Sequence, residues 1–307
     1  MKVVITDWGF PSLDIERRIF AEHAIVVEEH QCKTEDDVVA VVASANVVMT
    51  QWAPVKAKAI AAMRSCKGIV RYGIGLDNID MAAARQHGIP VRNVPDYCLN
   101  EVADHTMALL LSLQRQITHT QTLVRRGVWS IVPPQELAAL RTCTLGLVGF
   151  GRIARLVALR AQSFGLKIRA YDPYIADDFF SARHVEKTDF SELLRSADIF
   201  SLHLPLTPET QHLLNAKTFS MMKRNTLVIN ASRGGLIDTA ALCEALEKKN
   251  IAGAALDVIE EEPLMPGHPL LQFDNVIVTS HTAWYSSSSV GELQRLAALA
   301  AVDFLLK

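Results

Sequence analysis

The chain of 307 residues has no apolar run of membrane-spanning length: the longest, around residues 107–113, falls far below the roughly 18 residues a spanning helix needs. It has almost no net charge. The balance of 31 Lys+Arg against 33 Asp+Glu leaves −2, which excludes a global attraction to nucleic acid or to an anionic membrane, so partners must be recognised locally. Its five cysteines (Cys32, Cys66, Cys98, Cys143 and Cys243) are odd in number, and the nearest two are 32 positions apart. That spacing excludes a disulfide framework and a Cys-x-x-Cys metal knuckle, and suits a reducing compartment. There is no repeat at solenoid spacing and no low-complexity tract. The apolar run before Thr6 and Asp7 is too short for the core of a signal peptide, so a cytoplasmic, soluble protein is expected.

Half the residues are hydrophobic and 21% are charged, the balance of a folded chain with a large core. The length is about twice a ~150-residue domain, which favours two domains or one large α/β unit. Short β-branched runs (Val3-Val4-Ile5, 24–27, Val47-Val48-Met49, Gly68-Ile69-Val70, Ile89-Pro90-Val91) alternate with helical stretches. Such alternation predicts a parallel sheet covered by helices. From Leu99 to Arg126 the period changes, with Val102, Thr106, Leu109, Leu110 and Leu113 at steps of three and four, predicting one long helix. A second series follows Pro133-Pro134. Six strands are expected at 144–148, 167–171, 199–202, 226–230, 254–258 and 276–278, the number a dinucleotide-binding fold requires. The Ala/Leu-rich segment 286–307 reads as a last helix, capped by its serine run, that returns to the first domain.

The most informative segment is Leu147-Val148-Gly149-Phe150-Gly151-Arg152-Ile153-Ala154, with Asp172 at the end of the next strand, 23 positions after Gly149. Gly149 permits a tight exit from the strand. Gly151 lets backbone approach a pyrophosphate, and Ala154 still allows close helix–strand packing. The helix start offers unpaired N–H groups to phosphates. Asp172 would accept from ribose hydroxyls and repel a 2′-phosphate, which favours NAD over NADP.

Three polar residues stand just beyond apolar strands: Arg233 in Asn230-Ala231-Ser232-Arg233-Gly234-Gly235, Glu262 in Glu260-Glu261-Glu262-Pro263, and His281 in Thr279-Ser280-His281-Thr282-Ala283-Trp284. An arginine fork can hold a carboxylate and polarise the adjacent carbonyl. A histidine can pass a proton near neutral pH, and a glutamate can orient it and raise its pKa. Bland alternatives stand beside each: Arg233 as a helix cap, Glu262 as part of a solvated acidic face, His281 as a structural histidine. Periodicity leaves His105 and His203 open as well.

Taken together, the ordered segments resemble the D-isomer-specific 2-hydroxyacid dehydrogenases over essentially the whole chain. They are Arg71-Tyr72-Gly73-Ile74-Gly75-Leu76-Asp77-Asn78-Ile79-Asp80, Asn100-Glu101-Val102-Ala103-Asp104-His105-Thr106, the Gly149 loop, and residues 230–238, 255–263 and 281–284. Tyr171-Asp172-Pro173-Tyr174 and the stretch beginning His281-Thr282-Ala283-Trp284 are most similar to the C-terminal binding protein branch, whose animal members are transcriptional corepressors. Ala154 replaces the more common third glycine, Ser280 stands where proline is usual, and Thr207-Pro208 occupies a loop the branch writes differently.

The resemblance implies two Rossmann-like or flavodoxin-like α/β domains with parallel sheets and a cleft between them. The substrate domain would be discontinuous, 1–98 with 285–307, and 99–284 would bind NAD. It implies that Thr106, Gly149, Phe150, Gly151, Arg152 and Ile153 meet the pyrophosphate side, Asp172 the ribose, and Leu204, Pro205 and Thr210 the adenine side. Ala231, Ser232, Arg233, Asp257 and His281 would surround the nicotinamide, with Asp257 accepting from its carboxamide. The loop of Arg71, Tyr72, Gly73, Ile74 and Gly75 would meet the substrate carboxylate with Arg233, and Trp284 the substrate side chain. Tyr72 and Trp284 point to an apolar or thioether group there, with small acids such as glyoxylate or hydroxypyruvate left open. The implied activity is reversible hydride transfer between NAD and a small 2-oxo/2-hydroxy acid, with His281 as proton donor and acceptor and Glu262 orienting it. The implied assembly is a homodimer through the NAD domain, with the helix from Leu99 and the segment to Leu140 contributing. Two domains around a cleft also predict hinge closure. The competing reading is an NAD(H)-gated dimeric binding protein of corepressor type with weak or no turnover.

Overall fold

The computed structural model describes residues 1–133, 136 and 138–307. Pro134 of the expected boundary, and part of the segment to Leu140, lie outside them. Two compact units are present, Met1–Cys98 with Tyr285–Lys307, and Leu99–Trp284. Among the described residues no helix is long and apolar enough to cross a membrane.

The first unit runs β1 (Lys2–Ile5), α1 (Asp14–Glu22), β2 (Val26–Glu29), α2 (Glu35–Val42), β3 (Val47–Thr50), α3 (Ala57–Ala62), β4 (Gly68–Arg71), α4 (Met81–Gln86) and β5 (Val91–Arg92). Its sheet is parallel throughout, ordered β2-β1-β3-β4-β5. Val3, Val4, Ile5, Val47, Val48 and Met49 are all at 0% exposure, as expected of parallel strands covered on both faces. Local chemistry starts the helices: Thr34 and Asp37 form a capping box on α2, and Asp80 caps α4. β2 begins later than its apolar pattern because Ala24 takes a left-handed turn at φ 52°.

The second unit comprises α5 (Leu99–Gln114), α6 (Ile117–Arg125), β6 (Thr144–Val148), α7 (Arg152–Ser163), β7 (Lys167–Tyr171), α8 (Asp177–Ser181), β8 (Glu186–Lys187), α9 (Phe190–Ser196), β9 (Ile199–Leu202), α10 (Ala216–Met221), β10 (Leu227–Asn230), α11 (Thr239–Glu247), β11 (Gly253–Leu256) and β12 (Val276–Val278). Its strands, parallel throughout, are ordered β12-β11-β10-β9-β6-β7-β8. Alternation along them feeds two cores. Leu145, Leu147, Ile229 and Ala255 face the layer with α5 and α7, while Val148, Phe200, Val228 and Leu256 face α9, α10 and α11. Truncating such a residue, for example Leu147→Ala, costs about 2–5 kcal/mol.

Two expectations are corrected. The single helix from Leu99 to Arg126 is two helices, broken at Gln116, which sits in the left-handed region at φ 53° with no glycine or proline to mark it. The six-strand series is seven, because the two-residue β8 adds an edge that is exposed and charged and so carries no apolar pattern. The last helix, α12 (Ser287–Leu306), belongs to the first unit and packs on α1, β3 and β4, started by a Ser286/Ser289 capping box.

Candidate active site

In the second unit the chain leaves β6 towards β7 and β8 on one side and returns to β9 on the other. The topological switch thus lies between β6 and β9, where open α/β sheets receive ligands. Gly149 opens the loop there at φ 88°, and a Cβ on it would lie 2.5 Å from the His203 carbonyl oxygen, so the turn requires glycine. Gly151 is the N-cap of α7, and no side chain caps that terminus. A Cβ on Gly151 would meet no heavy atom within 4 Å, so the space before the first-turn N–H groups is open. Ala154, at 0% exposure, lets α7 pack down on the sheet. Asp172, just beyond β7, accepts from Phe150 N–H through Oδ2 at 2.9 Å and from Tyr174 N–H through Oδ1 at 3.0 Å. An ionised carboxylate accepts only, and its remaining lone pairs suit ribose hydroxyls better than a phosphate. An open cradle before a helix start, with an anionic acceptor at the next strand end, fits NAD.

Other expected cofactor contacts divide. Arg152 and Ile153 are the first residues of α7 and carry N–H groups of its first turn. Phe150 offers neither ring nor N–H to a ligand: its ring, at 0% exposure, stacks on Phe180 at 4.7 Å, and its N–H belongs to Asp172. Thr106 is also withdrawn, fully buried with its hydroxyl donating to Val102 O at 2.7 Å. The loop after β9 bonds to itself: Thr210 Oγ1 donates to Pro205 O at 2.7 Å and accepts from Thr207 N–H at 2.8 Å. Ser232 Oγ, beside Ala231, donates to Leu204 O at 3.2 Å and ties this loop to the next.

Arg233 follows β10 and donates from Nη1 to Ser232 O at 2.6 Å, while Asn230 Nδ2 donates to Arg233 O at 2.9 Å. Its side chain makes no cap bond to the 3-10 turn it precedes, so the helix-cap alternative is not realised. A Cβ on Gly234 would sit 1.9 Å from Ile259 O, so glycine lets the Arg233 loop rest on the backbone that leads to Glu262. Glu262 accepts from Ile259 N–H at 3.2 Å through Oε1 and pairs with His281 Nδ1 at 2.8 Å through Oε2. The two side chains are 38% and 37% exposed, open enough to meet a substrate. Because a carboxylate cannot donate, His281 Nδ1 carries the hydrogen and Nε2 is left for proton exchange. The acidic run is not a uniform solvated face, since Glu260 pairs with His212 and accepts from Thr239 N–H at 3.2 Å. Burial pushes His203 down to about 4, so it is neutral near pH 7 and unsuited to donating a proton. Trp284 Nε1 donates to His281 O at 2.9 Å and braces the turn.

That turn is built on Asp257, which is 1% exposed just beyond β11. Oδ1 accepts from Thr279 Oγ1 at 2.5 Å and Thr282 N–H at 2.9 Å, and Oδ2 from Ala283 N–H at 2.9 Å. Its backbone oxygen accepts from His281 N–H at 2.8 Å. His105 Nε2, on α5, lies 3.0 Å from Thr279 Oγ1 and 3.4 Å from Asp257 Oδ1. Burial pushes the Asp257 carboxyl up, but the donors from His105, Thr279, Ala283 and Thr282 outweigh it and hold the pKa at about 2. The bonds of this carboxylate thus go to the 279–283 turn. The sequence pattern gave no sign of the His105–Thr279 link, whose members are 174 positions apart.

In the first unit, Gly73 has φ 135°, and a Cβ on it would lie 1.7 Å from Arg71 Nη1, so the guanidinium folds over the glycine. Tyr72 is a correction. It is 1% exposed, edge-on to Phe10 at 5.2 Å, and its N–H donates to Thr50 O at 2.8 Å, so it is core and cannot line a substrate side chain. The Gly73 N–H donates to Arg71 O at 3.0 Å, which leaves Ile74 and Gly75 as the loop's N–H groups to offer.

Residues 107–283 match the family model for the D-isomer specific 2-hydroxyacid dehydrogenase, NAD binding domain. The chain is similar to a D-3-phosphoglycerate dehydrogenase of Methanocaldococcus jannaschii, 43% identical over 232 residues, 75% of this chain and 43% of the relative, so it spans less than half of that protein. It is also similar to a glyoxylate reductase of Thermofilum pendens, 40% identical over 259 residues, 82% of this chain and 74% of the relative. Among solved structures it resembles the D-lactate dehydrogenase of Aquifex aeolicus complexed with NAD and lactic acid, with a TM-score of 0.89 and 27% identity over 99% of this chain and 95% of that one.

Proposed function

The chain belongs to the D-isomer-specific 2-hydroxyacid dehydrogenase family, and we propose that it is an NAD-dependent oxidoreductase interconverting a small 2-oxo acid and its D-2-hydroxy acid. The observation that carries this reading is the His281–Glu262 pair, 2.8 Å apart and half-exposed, in the same unit as the dinucleotide loop. A binding scaffold has no need of a proton relay. Bound NADH supplies a hydride, and its oxidised form accepts one.

In the reducing direction His281 gives the Nε2 proton to the carbonyl oxygen as charge develops there, and in the oxidising direction Nε2 takes it back. Glu262, on Nδ1, fixes the ring and its tautomer. The Arg233 fork holds the substrate carboxylate, and the first unit's Arg71 with the Ile74 and Gly75 N–H groups is proposed as a carboxylate-binding loop. Trp284, held by its bond to His281 O, is proposed to set which side chain is accepted, now without Tyr72. A homodimer through the NAD-binding unit is proposed on the exposed apolar stretch Val128, Trp129, Ile131 and Val132, at 48%, 83%, 92% and 70% exposure. A cytoplasmic site is proposed from cysteine usage.

The test is NADH consumption against a panel of 2-oxo acids, beside NADPH and a His281→Ala control. Turnover that depends on His281 and prefers one side chain is the expected result. Tight NADH binding with no turnover on the panel would overturn it in favour of the NAD(H)-gated binding protein of the C-terminal binding protein branch, a likeness that rests on Trp284 and residues 171–174.

A further inference from the structure

We propose that His105 is a positioning residue for His281, acting through Thr279 and Asp257 to fix the turn that presents the imidazole. The inference deepens the dehydrogenase reading and rests on it for the role of His281. His281 sits at φ 56°, a left-handed conformation that side-chain-bearing residues adopt rarely, so its surroundings must hold it there. The holding group is the Asp257 carboxylate, which takes the N–H groups of Thr282 and Ala283 on the C-terminal side of His281 and the Thr279 hydroxyl on the N-terminal side.

Donor arithmetic extends the chain to α5. The Thr279 hydroxyl has one proton and gives it to Asp257, which as a carboxylate can only accept. At 3.0 Å from Thr279 Oγ1, His105 Nε2 must therefore be the donor, which fixes its protonated nitrogen. Helix α5 packs across β10, β11 and β12, so this bond anchors the turn to the body of the unit rather than to another loop. Nothing in this chain of bonds touches the dinucleotide cradle at Gly149 and Gly151. His105 should therefore act on turnover and not on cofactor affinity.

The experiment compares wild type with His105→Leu, which removes the donor, His105→Gln, whose amide N–H replaces it, and Thr279→Val, which removes the hydroxyl between His105 and Asp257 without altering α5. Each is read by kcat and KM, by NADH titration, and by hydrogen–deuterium exchange of the peptide covering residues 279–284. H105L and T279V should speed exchange in that peptide and lower kcat by about tenfold or more, the scale on which small misplacements act, while KM and NADH affinity stay near wild type. H105Q should recover both. Unchanged exchange in H105L, or H105Q behaving like H105L, overturns the proposal. So does loss of NADH affinity in step with kcat, which would put this network on the cofactor instead. If the wild-type protein reduces no 2-oxo acid, the dehydrogenase reading fails by itself. The exchange arm still decides, since loosening in H105L with recovery in H105Q supports the link and its absence refutes it.

Discussion

Glu16 on α1 of the first unit and Asp257 beyond β11 of the second are equally hidden from water, at 0% and 1% exposure, and are driven in opposite directions. Glu16 Oε2 accepts from Gln294 Nε2 at 2.8 Å, and burial pushes its pKa up against the opposing pull of hydrogen bonds from backbone, Tyr72 and Gln294. Asp257 has donors on both oxygens and stays ionised. Burial alone therefore does not decide which way the pKa of an interior carboxyl moves; the balance between burial and the donors aimed at it does. The first unit does contain the same device. Asp7, just beyond β1, accepts from Thr6 Oγ1, Thr50 Oγ1, Gln51 N–H and Trp52 N–H, and so pins the loop after the neighbouring strand β3. What distinguishes the second unit is that the pinned turn carries a histidine with a carboxylate partner.

The largest break in this comparison is at His281 itself. His281→Ala should lower turnover about 10²–10⁴-fold with NADH affinity nearly unchanged; a parallel fall in affinity, measured by fluorescence titration, would make it a binding residue. Gly149→Ala tests the cradle. At φ 88° and with His203 O 2.5 Å away, the added Cβ should cost about 1–3 kcal/mol of stability and weaken NADH binding, both readable from melts with and without NADH. Asp257→Asn removes the charge but keeps the shape. The fall from 3.8 to about 2 corresponds to about 2 kcal/mol at about 1.36 kcal/mol per unit. Because this pKa is depressed, the stabilisation is present above pH 3.8 and is lost as pH falls through about 2. Denaturant melts between pH 5 and 2 should show that acid limb in wild type and not in the variant.

Glu16→Gln should give the smallest effect, with the opposite sign. A raised pKa contributes stability that is complete below the ordinary 4.5 and is lost as pH rises through the folded value. The variant should therefore be more stable than wild type at pH 7, with the difference closing towards pH 4. A difference that grows on acidification would mean that the fold lowers the Glu16 pKa instead of raising it.

Much of this was legible in the chain. The Gly149-Phe150-Gly151 loop is local: each glycine answers a constraint within a few residues, so spacing alone located it, and Asp172 followed from the length of one helix and strand. Residue type and strand-end position singled out Arg233, Glu262 and His281, with resemblance to a family deciding between them and their bland alternatives. Burial was not legible. Thr106, Phe150 and Tyr72 sit inside motif segments, yet the fold turns each side chain inward, because position in a motif does not specify which way a residue faces. The break at Gln116 and the short β8 escaped because neither carries glycine, proline or an apolar pattern.

The sequence by itself determined the parallel α/β pattern, the dinucleotide loop and the chemical types at the proposed proton-transfer site, since periodicity, capping and turn glycines act over a few residues and survive without tertiary contacts. Only the tertiary structure decided which buried carboxyl has its pKa raised and which has it lowered, and how His105 reaches Thr279. Desolvation and hydrogen bonding depend on atoms brought within about 3 Å, and no spacing rule connects residues 174 positions apart.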